Sequence, residues 1–214
     1  MDPSFWHRRW EKNEIGFHGS KPHPMLVAHF DALSLPKGSR VFVPLCGKTL
    51  DIHWLLAQGY PVVGAELSRS AVEQLFAELG VPPTVTESGH YTRFNADGID
   101  ILVGDIFTLT AADIGPIDAV YDHAALVALP EAMRQRYTAH LPTLAAGVPQ
   151  LLICFDYDQS KADGPPFSVG EHECRRRYED KYDLRQLSHE PVPGGLRGQC
   201  DAFETVWLLT PRAA

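Results

Sequence analysis

The chain has 214 residues, a formal net charge of −8 and 21% charged residues. This net charge argues against binding to a phosphate backbone, which needs a basic face, so we expect no nucleic-acid partner. Its 44% hydrophobic content argues against intrinsic disorder, and its length is typical of one domain. We therefore predict a single domain over 1–214, with a helical N-terminal extension (1–35) and an α/β core (36–214).

Neither a signal peptide nor a membrane span is expected. The first four residues show no basic segment followed by an apolar one. Apolar runs such as 151–155 are far shorter than the ~20 residues of a membrane-spanning helix. The cysteines are Cys46, Cys154, Cys174 and Cys200. They form no C-x-x-C pair, which favours reduced thiols in a cytoplasmic protein without a metal site. A monomer is our first expectation.

Two helices are predicted in the N-terminal extension. The tripeptide Asp2-Pro3-Ser4 is typical of a helix start. Trp6 and Trp10 follow four residues apart, so they would share one helix face. A second helix is predicted over 24–33, where apolar residues recur at helical spacing.

From residue 40 onward, predicted strands alternate with predicted helices. The strands are 40–45, 60–67, 99–103, 117–121 and 150–155, and the helices are 49–58, 70–79, 130–144 and 169–178. Strands of nearly continuous apolar residues that alternate with helices predict a mostly parallel sheet with helices on both faces.

The end of the chain departs from this alternation. Two predicted strands, 182–190 and 203–210, are separated by a Pro- and Gly-rich stretch without a helix, which favours antiparallel pairing. A second hairpin is predicted over 91–103, with Asp97-Gly98 as its turn. The sequence therefore predicts an α/β sheet that finishes in an antiparallel hairpin.

Candidate ligand contacts follow the first two strands of the core. Ligands of open α/β sheets bind at the carboxyl ends of the strands. Gly47 would let a ligand approach the backbone after the first strand. Glu66 lies 66 − 47 = 19 residues later and can accept hydrogen bonds from both hydroxyls of a ribose. A spacing of ~20 is typical of adenosine cofactors, although a plain loop and a surface carboxylate remain alternatives.

Two further junctions carry polar residues. After the strand 99–103, Asp105 can accept a hydrogen bond from an adenine amine, while Ile106 packs on the ring; a loop-capping Asp105 is the alternative. After the strand 117–121, His123 would point toward a reacting group, or it is a loop histidine bonded to backbone.

Two classes of adenosine-cofactor enzyme fit these junctions. NAD-dependent oxidoreductases use the first two, but the chain lacks G-x-G-x-x-G and ends in an apparent antiparallel hairpin. Enzymes of the common α/β class that use S-adenosylmethionine (SAM) have a sheet with that ending and tolerate a looser glycine loop. We therefore favour SAM over NAD.

Several motifs, in order along nearly the whole chain, are more specific than SAM binding alone. They are Trp6-x-x-x-Trp10, Gly16-Phe17-His18, Val43-Pro44-Leu45-Cys46-Gly47-Lys48 with Asp51, Gly64-Ala65-Glu66-Leu67-Ser68, Gly104-Asp105-Ile106-Phe107, 121–130 and Gly164-Pro165-Pro166-Phe167. Together they resemble the thiopurine S-methyltransferase family, in its short bacterial form. The resemblance implies a Rossmann-like methyltransferase fold, SAM as cofactor, and methyl transfer to the sulfur of aromatic or heterocyclic thiols such as thiopurines.

The resemblance also implies roles for individual residues. The implied cofactor contacts are Trp6, Trp10, Leu45, Gly47, Glu66, Asp105 and Ile106, the implied substrate contact is Phe17, and His123 is a candidate contact of both cofactor and substrate. Arg197 is a further candidate substrate contact, as a possible cation near the acceptor and not from the resemblance. His123 departs from the family, which usually has arginine there. Because histidine has a reference pKa of ~6.5, we expect activity to depend on pH through His123.

The expected mechanism is in-line positioning of an acceptor thiolate and the sulfonium methyl group. Heteroaromatic thiols ionise readily, so no general base is assigned. A nearby cation would favour the thiolate, with Arg197, His123 and His18 as possible sources. Two alternatives stay open: an inorganic metalloid acceptor such as tellurite or selenite, and a non-catalytic SAM-binding module.

Overall fold

The computed structural model describes residues 3–16, 18–123, 125–145 and 147–212. Two helices, α1 (Pro3–Glu11) and α2 (Pro24–His29), precede the first strand. A 3-10 turn, Phe30–Leu33, continues α2 and buries both of its terminal side chains. The predicted second helix is therefore present over its full length, with a tighter last turn.

The described strands form one nine-stranded sheet in the order β3-β4-β5-β2-β1-β6-β7-β9-β8. They are β1 (Val41–Pro44), β2 (Val62–Glu66), β3 (Thr84–Ser88), β4 (Tyr91–Ala96), β5 (Ile99–Val103), β6 (Ala119–Asp122), β7 (Gln150–Tyr157), β8 (Tyr182–Pro191) and β9 (Ala202–Pro211). The five central strands, from β5 to β7, pair in parallel, and the strands at both edges pair antiparallel. The predicted α/β class with a C-terminal antiparallel hairpin is confirmed.

Helices cover both faces of this sheet. After α1 and α2 they are α3 (Leu50–Ala57), α4 (Arg69–Leu79), α5 (Ala111–Ile114), α6 (Ala125–Ala128), α7 (Glu131–Ala145) and α8 (Glu171–Tyr178). Successive residues of β1 pack into different hydrophobic clusters. Phe42 belongs to one cluster, and Val41 and Val43 belong to the other. This follows from the two-residue repeat of a strand, and it explains why the central strands are apolar throughout.

Local capping explains where α4 begins and ends. The Ser68 hydroxyl accepts a hydrogen bond from the Ala71 amide (3.4 Å) at the start of the helix. Gly80 ends it with a left-handed backbone (φ 70°), a conformation that glycine adopts without steric cost. The helix predicted over 70–79 is confirmed to within one residue.

Strand β3 is not predicted from the sequence. All five of its residues are exposed, and its sequence, TVTES, has no apolar alternation. It forms because its backbone pairs with β4, from Thr84 opposite Asn95 to Ser88 opposite Tyr91. A strand held by backbone pairing at a sheet edge leaves no hydrophobic pattern in the sequence.

No helix within the described ranges is both long and apolar enough to cross a membrane. The cytoplasmic location and the monomeric state stay predictions.

The C-terminal hairpin contributes one of the largest side chains in the core. Trp207 on β9 is fully buried, whereas Phe203, four residues earlier on the same strand, is 38% exposed. Trp207 belongs to the same cluster as Phe42 and Tyr137, so it fastens the antiparallel edge to the parallel centre.

We predict that Trp207→Ala lowers the free energy of unfolding by about 3–5 kcal/mol, because the surrounding core cannot close the cavity. Urea unfolding followed by far-UV circular dichroism measures the loss. Phe203→Ala is the matched control on the same strand, and we expect it to cost about 1 kcal/mol or less. Equal losses for the two variants would contradict the assignment of Trp207 to the core.

Candidate functional site

A cavity of about 880 Å³ lies at the carboxyl ends of the central strands. Leu45 and Gly47 reach it from the end of β1, Glu66 from β2, Asp105 from β5 and His123 from β6. Parallel strands end at the same edge of a sheet, so residues far apart in the chain meet there. This is the place where the sequence analysis expected a ligand.

Most of the predicted site residues line this one cavity. They are Trp6, Trp10, Leu45, Gly47, Glu66, Asp105, Ile106, His123 and Arg197. Phe17, the remaining one, lies outside the described residues. The structure thus brings together the predicted positions that it describes, and it leaves their individual roles as predictions.

The strand order divides the polar lining into two sides. Glu66 ends β2 and Asp105 follows β5, and both strands lie on one side of β1. His123 follows β6, which lies on the other side. The chain therefore changes direction in the sheet at β1, and the cavity opens at this switch point. Carboxylates lie on one side of it and an imidazole on the other.

The loop after β1 brings its backbone close to the cavity. Leu45 and Gly47 both have positive φ, +48° and +52°. A Cβ atom added at Gly47 would lie 3.1 Å from Cζ2 of Trp10, tighter than ordinary van der Waals contact. Glycine is therefore required here for two reasons, its backbone conformation and the closeness of the Trp10 ring.

Glu66 connects this loop to the next one. Its Oε2 atom accepts a hydrogen bond from the Gly47 amide (2.7 Å), and its Oε1 atom accepts one from the Ser68 amide (2.8 Å). Burial raises the pKa of Glu66, although both amides favour its charged form. Each carboxylate oxygen retains acceptor capacity, so Glu66 could also bind hydroxyl groups in the cavity.

Asp105 and Ile106 start a 3-10 turn (Ile106–Thr108) beside the cavity. The Asp105 carboxylate accepts a hydrogen bond from the Phe107 amide (3.0 Å), which is the capping alternative of the sequence analysis. Asp105 lines the cavity as well, and Ile106 is only 6% exposed. Capping and ligand contact are thus compatible at this carboxylate.

Helix α1 forms one wall of the cavity. Trp6 and Trp10 both line it, which fits the shared helix face that their four-residue spacing predicted, and Trp10 is 5% exposed. Arg9, between them, lines the cavity too. The extension thus contributes directly to the site.

His123 rests against a buried carboxylate. Its Nδ1 atom lies 3.3 Å from Oδ2 of Asp51 on α3. Asp51 also accepts hydrogen bonds from the Tyr121 hydroxyl (2.8 Å) and the His23 amide (2.6 Å). Burial alone would raise the pKa of Asp51, but the His123 contact and these hydrogen bonds lower it to about 2.

The same contacts affect the charge of His123. Burial opposes a charged ring, but Asp51 first, then Glu204 and Asp122, raise the pKa of His123 above its usual value. His18, another suggested cation, behaves differently because burial and the Lys48 charge lower its pKa. His18 is also absent from the described lining of the cavity.

Two residues that the sequence analysis did not single out complete this group. His23 Nε2 lies 3.2 Å from Oε1 of Glu204 on β9, and the rings of His23 and His123 are 4.1 Å apart. One ligand-type atom from each of His23, His123 and Glu204 lies within 4.8 Å of the other two. These residues come from distant parts of the chain, so no spacing in the sequence could have revealed the group.

The side of the cavity beyond His123 is mainly apolar, with arginines around it. The apolar side chains are those of Val127, Leu129, Met133, Phe155, Pro165 and Pro166. Arg136 also lines the cavity, but beside the Asp105 turn, with its guanidinium 4.1 Å from the centre of the Phe107 ring. Arg197 donates a hydrogen bond to the Pro165 carbonyl, which joins the loops 192–201 and 162–170 beside the cavity.

Comparison with solved structures supports the fold. A 1,6-didemethyltoxoflavin-N1-methyltransferase of Burkholderia thailandensis, crystallised with 1,6-didemethyltoxoflavin and S-adenosylhomocysteine, is 13% identical, with a TM-score of 0.66. The alignment covers 97% of this chain and 87% of that one. A SAM-dependent methyltransferase of Anabaena variabilis is 16% identical, also with a TM-score of 0.66, and covers 98% and 95%. At such low sequence identity, these TM-scores establish a shared fold and nothing more specific.

Sequence comparison is more specific. The family model for thiopurine S-methyltransferase (TPMT) matches residues 1–207. The chain is 58% identical to a thiopurine S-methyltransferase of Xanthobacter autotrophicus over 98% of this chain and 99% of that one. A thiopurine S-methyltransferase of Teredinibacter turnerae is 50% identical and covers 98% of both chains. Members of this family take their methyl group from SAM. These matches show that the chain belongs to the thiopurine S-methyltransferase family and is a SAM-dependent methyltransferase.

Proposed function

We propose that this enzyme transfers the methyl group of SAM to the sulfur of aromatic or heterocyclic thiols. The observation that carries the proposal is the two-sided cavity. On one side are the glycine loop and carboxylates suited to an adenosine group, and on the other is an apolar region with His123 and Arg197. An apolar lining suits a flat aromatic acceptor better than an inorganic oxyanion, and the full-length relatives carry the thiopurine name.

The residues on the carboxylate side fit the cofactor. The cavity, about 880 Å³, is within the ~300–1,000 Å³ common for small-molecule sites. We assign the ribose hydroxyls to Glu66, the adenine amine to Asp105 and the adenine face to Ile106. Gly47 fits this assignment because a Cβ atom would narrow the space between its loop and Trp10.

When bound, SAM supplies a sulfonium methyl group, whose carbon forms a bond to the acceptor sulfur while the old carbon–sulfur bond breaks and its electron pair stays on the leaving sulfur. The chain's contribution is to position and enclose the reactants. The two hydrogen bonds of Glu66 hold the loops after β1 and β2 in place on the adenosine side. Helix α1 excludes water with Trp6 and Trp10. Positioning of this kind supplies up to ~7–11 kcal/mol in model reactions.

We expect the purified protein to methylate 6-mercaptopurine and thiophenol with labelled SAM, and to leave phenol unmethylated. Tellurite and selenite are assayed in parallel under the same conditions. Methylation of the oxyanions without methylation of either thiol would replace the proposed acceptor class. Tight SAM binding without turnover of any acceptor would favour a non-catalytic module.

We predict that Glu66→Gln weakens SAM binding by about 2 kcal/mol, or roughly thirtyfold. The glutamine amide would place a donor against the Gly47 or Ser68 amide and would remove the charge from the hydrogen bonds to the ribose. Isothermal titration calorimetry measures the affinity. Glu87→Gln, on the exposed strand β3, is the matched control. An affinity unchanged by Glu66→Gln would argue against the ribose assignment.

We predict that Trp10→Ala weakens SAM binding about tenfold, because residues 1–35 act as a lid whose indole excludes water from the cofactor side. The control is Trp54→Ala. Trp54 packs on Phe30 (5.5 Å between ring centres) and is not part of the described lining. We expect this control to lower stability while it preserves affinity. The lid assignment fails if Trp10→Ala lowers only the stability, since the tryptophan would then merely fasten α1 to the core.

A further inference from the structure

We propose that Asp51 and Glu204 are positioning residues that keep His123 as an imidazolium ion, and that this cation makes the site select acceptors whose sulfur is already ionised. The inference rests on the proposed thiol methylation and deepens it. It assigns a task to two carboxylates that are absent from the described lining of the cavity, and it names the acceptor as a thiolate.

The position of Asp51 supports the first part. Its side chain is 2% exposed, yet it makes three polar contacts, with the His123 ring, the Tyr121 hydroxyl and the His23 amide. The last two contacts are neutral donors, so His123 is the group among these three that can carry the balancing charge. A buried carboxylate without a balancing charge is costly, and a proton on His123 removes that cost.

Glu204 adds a second negative charge from another element. Its carboxylate lies 3.2 Å from His23, whose ring faces His123 at 4.1 Å. The side chains of Glu204 and His23 are only 12% and 18% exposed, so solvent screens this contact incompletely. Glu204 therefore acts on His123 at longer range than Asp51 does, and its effect is expected to be the smaller one.

Two further titratable groups beside His123 come from β6, the strand that ends one residue before it. Asp122 accepts hydrogen bonds from the Tyr137 hydroxyl (2.7 Å) and from the Ala125 and Leu126 amides. The Tyr121 ring stacks beside His123, and burial raises the pKa of Tyr121 so that it stays neutral. Together with Asp51, Glu204 and His23, these groups give His123 an excess of carboxylates, and its pKa is raised despite burial.

The location of His123 supports the second part. Its side chain is 23% exposed and lines the cavity on the apolar side, opposite Glu66 and Asp105. The thiolate is the nucleophilic form of a thiol. A cation within ~4–6 Å favours the charged form of a bound acid. The acceptor thiol then loses its proton to water before it binds, and no protein base is required.

A bound metal ion is the competing explanation. His23, His123 and Glu204 have suitable ligand atoms within 4.8 Å of one another. Yet each imidazole already has a carboxylate at 3.2–3.3 Å, the distance of a hydrogen-bonded ion pair. A carboxylate thus satisfies a ring N–H of each histidine without a metal ion, and a bound metal is one outcome of the test.

The first measurement is an NMR titration of the histidine rings in chelator-treated protein. The His123 signal is identified by its loss in His123→Arg. We expect His123 to titrate at lower pH in Asp51→Asn and, by a smaller amount, in Glu204→Gln. Asp97→Asn and Glu190→Gln are matched controls, since Asp97 is in the exposed β4–β5 turn and Glu190 is the exposed register partner of Glu204 on β8. An unchanged His123 titration in both test variants overturns the proposal.

The second measurement is the KM for a thiol that is ionised over the whole pH range studied. In the wild type, binding is strongest while His123 is protonated, so KM rises as pH increases through the raised pKa of His123. Asp51→Asn should shift this rise to lower pH. At a pH between the two midpoints, KM should be about tenfold higher than in the wild type, the size of a lost charge-assisted hydrogen bond, with a much smaller change in kcat.

Arginine at position 123 separates charge from structure, because it stays protonated without help. We expect a flat KM profile in His123→Arg and no further change in His123→Arg/Asp51→Asn. An equal KM increase from Asp51→Asn in both backgrounds would show a structural role only and overturn the proposal. So would one equivalent of Zn²⁺ that binds the wild type, changes its KM profile and fails to bind Glu204→Gln.

The design also covers a variant that does not fold and a wild type that methylates no thiol. If Asp51→Asn does not fold, Glu204→Gln and its control still decide the proposal through the same titration. If the wild type methylates no thiol, the proposed function fails. The NMR titration would then still determine whether the two carboxylates set the charge of His123.

Discussion

The hydrogen bonds of Glu66 hold together the part of the fold on which the cavity depends. One carboxylate bonds the amide of Gly47 after β1 and the amide of Ser68 after β2. These loops begin the helices α3 and α4, so the same carboxylate fixes how two helices leave two neighbouring strands. Burial disfavours the charge of Glu66, and the Gly47 and Ser68 amides offset part of that effect. The hydrogen bonds of Glu66 therefore set both the shape of the cofactor side, through the two loops, and its polarity, through the carboxylate.

The N-terminal extension depends on this feature in turn. Trp10 packs over Gly47, where even a methyl group would crowd the indole. A loop displaced by loss of the Glu66 bonds would therefore displace α1 as well. Helix α1 and the loop after β1 therefore contact each other at Gly47. A residue without a side chain is required there because any side chain would push Trp10 away from the loop.

The sequence predicted the features that depend on local patterns. Apolar strands, helix caps and polar residues at strand ends gave the sheet, its C-terminal hairpin and the lining of the cavity. It missed β3, whose exposed TVTES segment is held by backbone pairing alone. It also missed the group around His123, because His23, Asp51 and Glu204 come from separate elements that only the folded chain brings together. Tertiary contacts between polar residues have no period, so pattern analysis cannot find them.

The net charge of −8 is a property of the whole chain and does not give the distribution of charge around the cavity. Strand order places Glu66 and Asp105 on one side of β1 and His123 on the other, and Arg136 and Arg197 line the cavity as well. Beside apolar side chains, such a separation of charge acts over a longer distance than on the open surface. A positive charge at His123 would repel the sulfonium of the cofactor, which favours the carboxylate side for that group. The same charge would attract a thiolate to the apolar side. The topology that assembles the site thereby also orients the two reactants toward each other.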